Sequence, residues 1–126
     1  MRAKADQHWK DLQENLIKSR YYPVITAAKL LGETLAAYYL VKAGSSSTRD
    51  FKPMLEQILK SIQAKDGSTP FTESDYYLMN KIRTLHARTH PTNVTSLVRR
   101  IRPELALSTA EDIVEVLTSL DMIPKK

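Results

Sequence analysis

Apolar positions recur at helical spacing along most of this 126-residue chain. Ala5, Trp9, Leu12 and Leu16 form one stripe and predict a helix from about Ala3 to Lys18. Arg20-Tyr-Tyr-Pro23 interrupts the pattern, and Pro23 suits the first turn of the next helix. That helix is predicted to run to Ala43 and to end at Gly44, a favourable residue just past a C-terminus. Ala27, Ala28, Gly32, Ala36 and Ala37 keep one of its sides thin, so a neighbour can come close; Leu31, Leu35, Tyr38 and Tyr39 supply bulk. Lys29 and Glu33 are four apart and can pair, which makes Glu33 a satisfied helix charge rather than a catalytic acid.

Ser45-Ser-Ser-Thr48 reads as a loop. Asp50 is the candidate N-cap of a helix carrying Phe51, Leu55, Ile58, Leu59 and Ile62, with a stop at Asp66-Gly67. Thr72-Glu-Ser-Asp75 has capping-box spacing, with Asp in place of the preferred Glu. It opens a helix with Leu78, Ile82 and Leu85 as its buried stripe, predicted to stop at His90 before Pro91. A short helix follows from Thr92 or Asn93, with Val94, Leu97, Val98 and Ile101 on one side and Arg99, Arg100 and Arg102 on the other; Pro103 is read as its end. Ser108-Thr-Ala-Glu111 has the pattern of a capping box for the last helix, whose apolar face is Ile113, Leu117 and Leu120, widened by Val114 and Val116. The tail Pro124-Lys125-Lys126 is expected to fray. The expected fold is all-α: one domain over 1–126, an antiparallel bundle of four main helices plus one or two short ones.

The chain is 42% apolar and 26% charged, ordinary values for a globular domain. Cys is absent, which excludes disulfides, thiolate metal sites and cysteine nucleophiles. With no apolar run read as a membrane span and no signal-like N-terminus, the expectation is a cytoplasmic protein without a membrane partner. The net charge is +5, and its placement is the informative part. From Tyr76 to Pro103 the chain holds Lys81, Arg83, Arg88, Arg99, Arg100 and Arg102 and no Asp or Glu. A one-sign block of that length suits a polyanion or an acidic protein surface, and equally a solvated basic face.

Within that block, Lys81-Ile-Arg-Thr-Leu-His-Ala-Arg-Thr-His90 concentrates the candidate chemistry. Asn80, Arg83 and His90 recur at i, i+3 and i+10, so Arg83 and His90 fall on one side of a helix, with an axial rise of about 10.5 Å between them. Imidazole titrates near neutral pH and suits proton transfer; guanidinium matches phosphate oxygens and keeps its charge. The plain alternative is that both are polar positions on an amphipathic helix. His86 and His90, four apart, lack the Glu of a His-Glu-x-x-His site and any third ligand, so neither a metal nor a cofactor is expected. His8 is read as a surface or packing residue. Tyr76 and Tyr77 fit base stacking or core packing.

A helix rich in small residues (Ala27 to Ala36), a later helix bearing Arg83-x6-His90, then Pro91 and a final capped helix: this order resembles the HEPN domain. That family comprises helical bundles of prokaryotic toxin–antitoxin, abortive-infection and CRISPR-associated ribonucleases. The resemblance spans about Trp9 to Leu120, and its motif is an Arg and a His separated by four to six residues. It implies a homodimer in which Arg83 and His90 of both chains share a cleft and cleave RNA without metal. The 2′-OH attacks the phosphate and leaves a 2′,3′-cyclic product. Lys81, His86, Arg88, Arg99, Arg100 and Arg102 would then hold the strand. The family often has Asn, Asp or His directly after the Arg; this chain has Thr84. The resemblance also implies an alternative, a non-catalytic module binding RNA, a nucleotide or a protein partner such as a nucleotidyltransferase antitoxin. A third class, a DNA-binding helix-turn-helix, would use the basic Val94 to Arg102 helix and the capped helix after it.

Overall fold

The computed structural model describes residues 2–44, 50–65, 67–89 and 102–122. Those residues form five helices and no strand: α1 (Arg2–Ile17), α2 (Tyr21–Lys42), α3 (Phe51–Ala64), α4 (Glu73–Thr89) and α5 (Pro103–Ser119). They pack as an antiparallel all-α bundle in which α2 touches each of the other four.

That central position explains the composition of α2. Nine of its residues are buried, from Val24 and Ile25 at one end to Leu40 at the other. They lie around much of its circumference, because neighbours surround it. Its small residues serve close approach: a Cβ on Gly32 would stand 3.0 Å from Cζ of Phe51 on α3. The Lys29–Glu33 pair forms at 2.7 Å. By length and composition α2 also meets the requirement for a membrane span, with 22 residues and an 18-residue stretch of mean hydropathy 1.3, contrary to the expectation that no such run exists. Half of that stretch is buried against other helices, as befits the middle of a bundle.

The predicted stripes are largely buried, while Leu59, Leu85 and Val114 are only partly so. Leu12 of α1, Phe51, Leu55 and Ile58 of α3, Leu78 and Ile82 of α4, and Ile113 and Leu117 of α5 all enter one core. α1 is a full member, docked along α2. Boundaries differ most in three places. α2 starts at Tyr21, so Pro23 falls within its first turn. α3 ends at Ala64, where Lys65 turns left-handed at φ 52°, just before the expected stop. α5 starts at Pro103 rather than at Ser108. Pro103 supplies the preset φ of a first helical position, so it opens this helix. Ser108 and Thr109 are therefore interior, and the Thr109 hydroxyl donates to the carbonyl of Leu105 at 2.8 Å.

The capping box that opens α4 is present and reciprocal. The Asp75 amide donates to Thr72 Oγ1 at 3.1 Å, and the Thr72 amide donates to Asp75 Oδ2 at 2.9 Å. Asp75 is 3% exposed, and the same Oδ2 accepts a 2.9 Å hydrogen bond from Ser119 Oγ. One carboxylate thus ties the start of α4 to the end of α5. The expected short helix from Thr92 or Asn93 to Arg102 lies outside the described residues except for Arg102, which is extended rather than helical; the Ser45 to Thr48 loop and the Pro124 to Lys126 tail lie outside them too.

Candidate functional site

α4 buries Leu78, Met79 and Ile82 and leaves two polar flanks. Successive residues advance by about 100° around a helix, so Lys81 and Arg83 stand on opposite flanks, and Arg88 falls with Lys81. This divides the basic residues predicted to act together.

On one flank, Asn80 Oδ1 accepts two hydrogen bonds from Arg83, at 3.2 Å from Nε and 3.0 Å from Nη2. Arg83 is half-buried, and among the described residues no carboxylate pairs with it. Its guanidinium is aimed by a neutral amide, and among the described residues Nη1 makes no hydrogen bond. One turn on, the His86 ring stacks on Tyr22 of α2, with centroids 6.2 Å apart and planes inclined by 21°. Asn80, Arg83, His86 and Tyr22 therefore make one polar and aromatic strip where α4 meets the beginning of α2.

On the other flank, Lys81 Nζ lies 3.1 Å from Asp112 Oδ2 of α5. Its charge is compensated within the fold, so the expected strand contact is an interhelix ion pair. Arg88 is exposed on this side. Arg102 is also exposed and occupies the N-cap of α5, where its carbonyl accepts from the amides of Leu105 and Ala106. Thr84 is turned back on its own helix, its hydroxyl donating to the Asn80 carbonyl at 2.9 Å. The two tyrosines part company: Tyr76 packs against the core and Tyr77 is 66% exposed. His90, Arg99 and Arg100 lie outside the described residues, and with them the Arg83–His90 and His86–His90 pairings.

Two partners were not readable from the chain. Tyr22 and Asp112 meet α4 only through the packing of helices distant in sequence. The spacing placed Asn80 beside Arg83, but not its acceptance of two bonds. The turn needed by a helix-turn-helix is also gone, because residues 103–107 are the first turns of α5.

No protein-family model, no curated protein and no solved structure matches this chain.

Proposed function

We propose that this chain is a HEPN-like bundle acting as a metal-independent endoribonuclease in the cytoplasm, with Arg83 and His90 from two copies meeting in one cleft. The observation that supports this most is the state of Arg83: half-buried, held through Nε and Nη2 by Asn80, and without a carboxylate partner among the described residues. An arginine paired with an acid would be neutralised; this one is oriented and keeps its charge for a phosphate.

In this mechanism a histidine takes the 2′-OH proton and the oxygen attacks the adjacent phosphorus. The 5′ oxygen leaves with a proton from the second histidine. The products are a 2′,3′-cyclic phosphate and a 5′-hydroxyl, so protons balance and no cofactor is consumed. Arg83 stabilises the charge that builds on the crowded phosphorane. His90 is the proton carrier, and the His86–Tyr22 stack offers a flat face beside the phosphate for a base.

The test is cleavage of a mixed RNA pool in EDTA by the wild-type chain. Arg83→Ala and His90→Ala are each expected to lower the rate at least about a hundredfold while the helical fold is kept. An inert wild type, or cleavage indifferent to both changes, overturns the reading.

A second reading, a non-catalytic binding module, draws on two observations. Thr84 occupies the position after the motif arginine and spends its hydroxyl on its own helix, and Lys81 is engaged by Asp112. It predicts RNA or partner binding without cleavage, unchanged by His90→Ala.

A further inference from the structure

α5 carries two apolar stripes where a bundle helix needs one. Ala106, Thr109, Ile113 and Val116 face the core and are at most 2% exposed. A second stripe, Leu107, Val114 and Thr118, with the buried Ala110 at its inner edge, runs beside it at i, i+7 and i+11, Ala110 falling at i+3. With Leu16 of α1 it lines a shallow open groove. Leu107 is 50% exposed, and Ile17, the residue after Leu16, is 84% exposed. The stripe spans three turns, about 16 Å of helix.

The edge of this groove is acidic. Glu111 and Glu115 line it, and Glu104 continues the same ridge toward the start of α5. All three are exposed, and among the described residues none is in an ion pair. In a chain of net charge +5, this edge thus carries a row of carboxylates that the described residues leave uncompensated. A second copy is a poor occupant: two α5 helices meeting antiparallel about this stripe would bring Glu111 and Glu115 of each toward the other's.

We infer that the α1–α5 groove is a docking site for a basic amphipathic helix of another protein. Its apolar side would cover Leu16, Leu107, Ala110 and Val114, and its Lys or Arg residues would meet Glu104, Glu111 and Glu115. The apolar stripe gives affinity, and the ridge gives sign selection and rapid, salt-dependent association. The site is independent of the Arg83 strip.

The test titrates a fluorescein-labelled synthetic peptide of about five turns into the full chain. The peptide has Leu at i, i+4, i+7 and i+11 and Lys flanking the stripe. Controls are a scrambled peptide of the same composition and a peptide with Glu in place of Lys. The basic helix is expected to bind saturably, and both controls at least about tenfold more weakly. The doubly changed Glu111→Lys/Glu115→Lys chain is expected to lose about tenfold in affinity and most of the salt dependence. Leu107→Asp should abolish binding, and amide shifts of the 15N-labelled chain should concentrate in 104–119. Equal binding of the scrambled peptide, shifts confined to another face, or no binding overturns the inference. So does a concentration-dependent dimer dissolved by Leu107→Asp, which would make a second copy the occupant.

Discussion

Asp75 shows how much one oxygen can hold. Its Oδ2 accepts from the Thr72 amide and from the Ser119 hydroxyl, and the residue is almost wholly buried. Asp75→Ala removes half of a capping box and leaves two donors without their acceptor. We expect a loss of about 2–4 kcal/mol in urea denaturation, against about 1 kcal/mol for Ser119→Ala. The double variant should be less destabilised than the sum of the two, because both report on one shared bond. A loss below about 0.5 kcal/mol for Asp75→Ala would contradict this account. The box itself was legible, because a Thr and an Asp three apart before an apolar stripe signal a helix start. Ser119 was not, because it lies 44 residues away and only the packing of α4 on α5 brings it there.

Between elements, the same division holds. The stripes of α1, α3 and α4 could be read from spacing, because burial follows the 3.6-residue period whatever the partner is. The start of α5 could not, since two local signals compete there. Ser108-Thr-Ala-Glu111 has the residues of a capping box, yet Pro103 already sets a helical φ, and Ala106 and Thr109 continue the buried stripe of Ile113. Packing decided for the earlier start and turned the later signal into helix interior. Gly32 carries the sharpest consequence at this scale. In a free helix Gly→Ala gains about 1 kcal/mol. Here the new methyl would press on Phe51, which is 4% exposed and has little room to yield. Gly32→Ala is therefore expected to destabilise by about 1 kcal/mol in thermal or urea unfolding, and Phe51→Leu in the same chain should recover the propensity gain of the alanine. A stabilised Gly32→Ala chain would show that α2 and α3 separate easily.

Across the molecule, the Arg83 strip and the carboxylate row of α5 lie on different faces. The Lys81–Asp112 pair fixes which flank of α4 faces α5, so Arg83, on the opposite flank, points away from α5. The carboxylates of Glu104, Glu111 and Glu115 lie beyond α5, on the edge turned toward α1. Arg83 attracts a polyanion and the row of Glu104, Glu111 and Glu115 repels one; a basic helix experiences the reverse at each. The two faces should then be energetically separate, because residues well apart without shared partners act additively. Arg83→Ala is expected to leave the affinity for the basic peptide within about twofold, and Leu107→Ser, which cuts the apolar stripe without changing charge, to leave RNA binding or cleavage within the same margin. The measurement is a cycle: peptide affinity with and without a short RNA, and RNA affinity with and without saturating peptide. Coupling above about fivefold, near 1 kcal/mol, would mean that one ligand reshapes the bundle or that both reach a common surface. Near-zero coupling would leave α2, packed against every other helix, as the rigid spacer that keeps the two faces apart.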